Sequence, residues 1–150
     1  MRSGKRQQLG WLVSGNRAFI DTSAVLRLLV KDDPVKARAV EKILKESRDK
    51  GIALYLLPVT ILEIVWVMEK VYRLSRKAIR ELVEAILNTP GLKCPLEQVF
   101  RQALITYETQ NIKFADAVMG YWGLHEGLST VYTYDEKDFK QIPGLQVCKR

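Results

Sequence analysis

The run Ile52–Leu57 is the feature that most constrains the fold of this chain. Its six residues are apolar or aromatic and end at Pro58, a length and composition typical of a strand buried on both faces. Strands of this kind belong to parallel sheets, whose connections run through helices that cover the faces of the sheet. The chain therefore needs helices before and after this run, and its fold class should be α/β.

The rest of the sequence supplies alternating strands and helices. Further short strands are predicted at residues 18–20, 92–94, 130–133 and 145–147. Helices are predicted at residues 23–29, 34–50, 61–72, 76–87, 95–110 and 114–125. This alternation predicts a three-layer α/β/α sandwich on a mostly parallel sheet of about five short strands.

Length and charge bound the domain organisation. A chain of 150 residues has room for one globular domain, which we expect at residues 18–150. Residues 1–17 carry four basic residues and no acid, so we expect a flexible N-terminal arm there. The formal net charge is +7, but residues 18–148 hold 18 basic against 17 acidic residues. The total charge is therefore weak support for nucleic-acid binding.

Several function classes lack support in the sequence. No apolar stretch reaches the roughly 20 residues of a membrane-spanning helix, and the first residues lack the apolar core of a secretory signal. We therefore expect a cytoplasmic protein that makes no membrane contact. Cys94 and Cys148 form neither a zinc pattern nor a disulfide framework. A P-loop and a Gly-x-Ser-x-Gly elbow are both missing from the sequence.

Four acidic residues are predicted at one edge of the sheet. Asp21 and Asp135 each follow a predicted strand, while Glu63 and Asp116 each lie in the first turn of a predicted helix. Strand ends and the helix starts that follow them share the edge where sites gather in parallel sheets. Carboxylates brought together there repel one another unless a cation lies between them. An all-oxygen set without His or Cys suits Mg²⁺ or Mn²⁺.

Two of these acids have a local explanation as helix caps. Asp21 suits the N-cap of the helix that begins near Ser23. The segment Thr60–Glu63 has the pattern of a capping box, in which the Glu63 carboxylate returns to the backbone of Thr60. For Glu63, capping and metal binding would compete for the same carboxylate.

The other two acids also have structural alternatives. Asp116 would be favourable at a helix N-terminus on electrostatic grounds alone. Asp135 could be an ordinary turn residue, and Asp138, three positions later, competes with it for the role of the fourth acid. The joint pattern of the acids, rather than any one of them, predicts a shared acidic site.

A second candidate surface is basic. Residues 70–80 contain five basic residues and no acid. A solvated helix face is the ordinary explanation for such a run. The functional alternative is contact with the phosphate backbone of a nucleic acid, made by Arg73, Arg76, Lys77 and Arg80.

Four segments in order resemble the successive motifs of the PIN-domain family. They are IDTSAVLRLLVKDDP, PVTILEIVWVM, FADAVMGYWGLHEG and VYTYDEKDFKQIPGLQV. The similarity runs from about residue 17 to residue 147, and it is strongest to the VapC-type toxin ribonucleases of type II toxin–antitoxin systems. In the family the first motif normally stands near the initiator Met, whereas here twenty residues precede Asp21.

The resemblance implies a metal-dependent endoribonuclease that cleaves RNA phosphodiester bonds. It implies one or two Mg²⁺ or Mn²⁺ ions, held by Asp21, Glu63, Asp116 and the more variable Asp135. It also implies a cognate antitoxin, an RNA substrate and a second copy of the chain in a homodimer as partners. A housekeeping RNA-processing nuclease and a non-catalytic binding module on the same fold are the alternatives.

Three further residues receive supporting roles. Ser23 and Thr133 match hydroxyl positions that in the family orient the acids or a water molecule. Asp138 is retained as the alternative to Asp135.

Overall fold

The computed structural model describes residues 17–30 and 32–149, within which five strands and seven helices alternate. The strands are β1 (Arg17–Ile20), β2 (Ala53–Leu56), β3 (Leu92–Lys93), β4 (Thr130–Thr133) and β5 (Gln146–Lys149). The helices are α1 (Thr22–Val30), α2 (Pro34–Asp49), α3 (Pro58–Lys70), α4 (Arg76–Leu87), α5 (Glu97–Gln110), α6 (Phe114–His125) and α7 (Glu136–Phe139). The expected N-terminal arm lies outside the described residues, except for Arg17, which opens β1.

The chain forms two compact units. Of the described residues, the first unit holds 17–64 and 85–95, and the second holds 65–84 and 96–149. The assignment of residues 18–150 to a single domain stays a prediction.

The first unit contains a parallel three-stranded sheet with β2 in the middle. Phe19 pairs with Tyr55 across β1 and β2, and Leu54 pairs with Leu92 across β2 and β3. Leu54 and Leu56 are 4% and 1% exposed, whereas Ala53 and Tyr55 are half-buried. The apolar run therefore occupies the central strand, where both backbone edges are paired.

The second unit contains a parallel sheet of two strands, β4 and β5, in which Val131 pairs with Val147. All strand pairs among the described residues are thus parallel. The predicted α/β class and the five short strands are confirmed. The pairing differs in detail from a single sheet, because the five strands form one sheet of three and one of two.

Helices α5 and α6 form the core of the second unit. The rings of Phe100, Tyr107 and Phe114 are buried, and Phe114 lies 5.6 Å from Tyr107 in an edge-on contact. Helix α6 also approaches the segment after α7 closely, because a Cβ added at Gly120 would lie 2.3 Å from the Ile142 side chain. This close contact fixes α7 relative to α6.

Local chemistry explains the starts of helices α4 and α2. At α4 the Ser75 hydroxyl accepts the backbone N–H of Ala78 at 3.1 Å, as predicted for a capping serine. At α2 the Asp33 carboxylate accepts the N–H of Lys36 at 3.1 Å, with Pro34 in the first helical position. Across the described ranges, every helix falls short of the length and apolar character needed to cross a bilayer.

Candidate functional site

Three aspartates of the second unit lie close together. Asp116 is in the first turn of α6, Asp135 follows β4, and Asp138 is in α7. Each offers a carboxylate oxygen, and these oxygens lie within 4.8 Å of one another. Asp135 and Asp138, which the sequence presents as rivals, therefore both join Asp116.

Asp138 is held in place by the backbone of another segment. It is only 7% exposed, and its Oδ2 accepts the N–H of Lys113 at 3.1 Å. Lys113 is the residue just before α6, so this hydrogen bond connects the α7 carboxylate to the start of the helix that carries Asp116. A buried carboxylate needs such a partner, because its desolvation is otherwise uncompensated.

The carboxyl group of Asp116 is shifted toward its neutral form. Burial first, and then the hydrogen bond with and repulsion from the Asp138 carboxyl, raise its pKa to about 6. Asp135 adds repulsion, while Lys113 opposes the shift. The cluster is therefore short of positive charge, which is the condition that favours a bound cation.

Asp135 keeps its carboxylate available. Its side chain makes no cap hydrogen bond to α7, although it occupies the position before that helix. Its backbone N–H donates instead to the Thr133 hydroxyl at 2.8 Å, and its Oδ2 pairs with the Lys113 ammonium at 3.4 Å. Thr133 thus orients the backbone at Asp135.

In the first unit, Asp21 has both a capping contact and a hydroxyl partner. The Ser23 hydroxyl lies 2.9 Å from both carboxylate oxygens, and the N–H of Ala24 donates to Oδ1 at 3.1 Å. These hydrogen bonds, the Ala24 N–H first, hold the pKa of the exposed Asp21 below its usual value. The carboxylate is therefore charged and oriented while remaining open to solvent.

Glu63 is free of the capping role that its local sequence suggests. Helix α3 begins at Pro58, so Thr60 lies inside the first turn rather than at the N-cap, and it is buried at 5% exposure. The capping-box alternative is wrong because Pro58 itself opens the helix. The exposed Glu63 carboxylate instead accepts the Thr22 hydroxyl at 2.6 Å.

Of the four basic residues predicted to contact RNA, two make contacts within the protein and two are exposed. Arg76 donates to backbone oxygens within the second unit. Arg80 pairs with Glu84 and Glu108. Arg73 and Lys77 are exposed. Contact of these four residues with RNA stays a prediction, and the exposed pair is the better placed to make it.

The sequence missed two residues that orient the acids. Thr22 contacts Glu63, from which it is 41 residues distant in the chain, and Lys113 contacts both Asp135 and Asp138. For Thr22, its position next to the candidate acid Asp21 was a signal in the sequence. No local signal marks the second, since a backbone N–H carries no sequence pattern.

The aspartate cluster fits a hard divalent cation. Its three donors are carboxylate oxygens, with no His or Cys sulfur among them, and Mg²⁺ and Mn²⁺ prefer such ligands. The raised pKa of Asp116 is consistent with this fit, because a cation would replace the proton between neighbouring carboxyl groups. These residues could therefore hold a metal ion.

The parallel strands, the surrounding helices and the aspartate cluster agree with the comparison with known proteins. The chain belongs to the PIN domain family, whose model matches residues 18–145. It is similar to the VapC ribonuclease of Aquifex aeolicus (strain VF5), with 27% identity over 124 residues. The similarity covers 83% of this chain and 90% of that relative. No solved structure is significantly similar to the chain.

Proposed function

We propose that this protein is a metal-dependent endoribonuclease of the VapC type and the toxin of a toxin–antitoxin pair. The observation that carries the proposal is the set of three carboxylate oxygens within 4.8 Å, from Asp116, Asp135 and Asp138. Such a set is costly without a cation and well suited to one. Membership of the PIN family and similarity to a VapC ribonuclease support RNA as the substrate.

The metal ligands would be Asp116, Asp135 and Asp138, with Asp21 and Glu63 contributing as the family resemblance implies. One or two ions of Mg²⁺ or Mn²⁺ would bind. When bound, such an ion supplies an activated water near neutral pH and neutralises charge on the phosphate.

The chain's own side chains prepare the carboxylates for this role. The Ser23 hydroxyl holds Asp21, and the Thr22 hydroxyl holds Glu63. The pKa of the Asp116 carboxyl is raised to about 6, and a bound cation would favour its charged form. These contacts limit the reorganisation of the ligands, which is the contribution that outer partners make to metal sites.

The partners follow from the same assignment. RNA in the cytoplasm would be the substrate, a cognate antitoxin protein would inhibit the enzyme, and a second copy of the chain would form a homodimer. The similarity to the VapC ribonuclease supports the toxin role over a housekeeping nuclease.

Cleavage of RNA in the presence of Mg²⁺ or Mn²⁺, with and without chelator, tests the enzyme. We expect cleavage that a chelator abolishes and that Asp116→Asn abolishes at nearly constant side-chain volume. Asp49, an exposed acid at the end of α2, supplies a control variant, Asp49→Asn, that keeps activity. Metal-independent cleavage, or equal cleavage by Asp116→Asn, would contradict the proposal. A complete lack of cleavage across varied RNAs would favour a binding module.

Induced expression tests the toxin role separately. We expect growth arrest that is relieved by co-expression of a small adjacent reading frame and absent for Asp116→Asn. Mapping the RNA ends during induction would identify the substrate. Growth unaffected by active enzyme would favour the housekeeping nuclease.

A further inference from the structure

Arg76 is directed into the second unit, although it belongs to a basic stretch. Its Nη1 donates to the backbone oxygens of Tyr107, at 2.6 Å, and Ile112, at 2.7 Å. Its guanidinium carbon lies 4.2 Å from the centre of the Tyr107 ring, within the range of cation–π contacts. Arg76 therefore holds the connection between α5 and α6 at two points.

The first acceptor lies at the end of a helix. Helix α5 ends at Gln110, so the oxygen of Tyr107 is one of the last four carbonyl oxygens, which have no partner within the helix. A cation at a helix C-terminus is also favoured by the helix dipole. These two effects keep the half-buried guanidinium of Arg76 in place.

The second acceptor belongs to a peptide group that is held from both sides. The oxygen of Ile112 and the N–H of Lys113 are parts of one peptide bond, which is trans, so they point in opposite directions. Arg76 binds the oxygen, and Asp138 accepts the N–H at 3.1 Å. Rotating this peptide group would break both hydrogen bonds together.

We infer that Arg76 is a positioning residue for the metal-holding carboxylates, an inference that rests on the proposed function. It sets the orientation of the peptide between Ile112 and Lys113, and this peptide orients the carboxylate of Asp138. Hydrogen bonds at the two ends of one peptide also polarise each other. The Arg76 contact therefore strengthens the one that Asp138 accepts.

A first comparison replaces Arg76. Arg76→Ala should weaken Mn²⁺ binding or lower kcat by roughly 10–100-fold, the usual effect of losing an outer partner of a metal site. KM for RNA should stay unchanged, and exchange of the Lys113 amide hydrogen should become faster. Arg76→Lys should restore part of the loss. The matched control is Arg101→Ala, since Arg101 is also half-buried in this unit and pairs with Glu97 in its own helix.

A second comparison removes the Lys113 N–H, at the opposite end of the peptide group whose oxygen Arg76 binds. Lys113 has φ −58°, close to the angle that proline fixes, so Lys113→Pro deletes the N–H at a φ that proline can adopt and puts a ring carbon against the Asp138 carboxylate. Relative to Lys113→Ala, which keeps the N–H, Lys113→Pro should weaken Mn²⁺ binding as Arg76→Ala does. The two losses should not add in the double variant, because both act through one peptide.

The outcomes separate three cases. Parent-like Mn²⁺ affinity and Lys113 exchange in Arg76→Ala would overturn the inference, and so would fully additive losses in the double variant. A higher KM with unchanged kcat would also overturn it and would make Arg76 a phosphate contact. If the parent neither binds Mn²⁺ nor cleaves RNA, the proposed function fails, while Lys113 exchange still decides whether Arg76 holds the peptide.

Discussion

The backbone N–H of Lys113 donates to the carboxylate of Asp138, 25 residues later in the chain, at 3.1 Å. This hydrogen bond joins the start of α6 to α7 and thereby sets Asp138 beside Asp116. The acid cluster is therefore a property of backbone placement as well as of side chains.

Asp138→Ala should lower the free energy of unfolding by about 1–3 kcal/mol, because it leaves the N–H of Lys113 without its acceptor. Asp138→Asn keeps an oxygen that can accept this N–H and should cost clearly less. Denaturant unfolding in the presence of chelator measures both. Equal losses in the two variants would show that the hydrogen bond does not stabilise the fold.

Asp116 should make the stability of the metal-free protein depend on pH. Its pKa is raised from 3.8 to about 6 in the folded chain. Its contribution to stability is thus fully present below pH 3.8 and is lost as the pH rises through about 6. In chelator, Asp116→Asn should gain Tm relative to the parent between about pH 4 and about pH 7. A Tm difference that does not change with pH would contradict the assignment.

Two substitutions at Asp21 should distinguish its effect on stability from its effect on RNA cleavage. Asn caps helices about as well as Asp, whereas Ala has no side-chain oxygen to accept the N–H of Ala24. Asp21→Asn should therefore keep the parent's stability and lose RNA cleavage, while Asp21→Ala should lose both. Thermal unfolding and a cleavage assay on the same preparations measure the two effects.

Asp33 provides the matched control for Asp21, because its carboxylate caps α2 through the N–H of Lys36. Asp33→Ala should lose similar stability, and Asp33→Asn should keep both stability and cleavage. Cleavage by Asp21→Asn at the rate of Asp33→Asn would remove Asp21 from the metal site.

Thr22 should affect metal binding through its hydrogen bond to Glu63. Thr22→Val keeps the shape of the side chain but removes the hydroxyl that donates to Glu63 at 2.6 Å. We expect metal affinity or kcat to fall by roughly 10–100-fold, and Thr22→Ser to retain most of both. Mn²⁺ titration with the folded variants measures the affinity, and parent-like values for Thr22→Val would show that the contact has no role in metal binding.

Much of the secondary structure follows from short-range sequence patterns. Helix α6 and strand β4 have the predicted bounds, and α4 begins after its capping Ser75. The start of α3 was misplaced because the capping-box pattern and Pro58 offer two starts a few residues apart. Local patterns do not say which start the tertiary packing will favour, and here Thr60 is buried inside the first turn.

The sequence by itself determined the parallel α/β class, the PIN resemblance and the set of candidate acids, because apolar periodicity, caps and motif spacing are written in neighbouring residues. Only the tertiary structure decided that Asp138 joins Asp116 and Asp135, that Thr22 holds Glu63, and that Arg76 binds backbone oxygens. The physical reason is that most of these contacts join residues far apart in the chain, up to 41 positions for Thr22 and Glu63. Which of them meet depends on how helices and strands pack, and the hydrogen-bonding groups of the backbone are the same at almost every position.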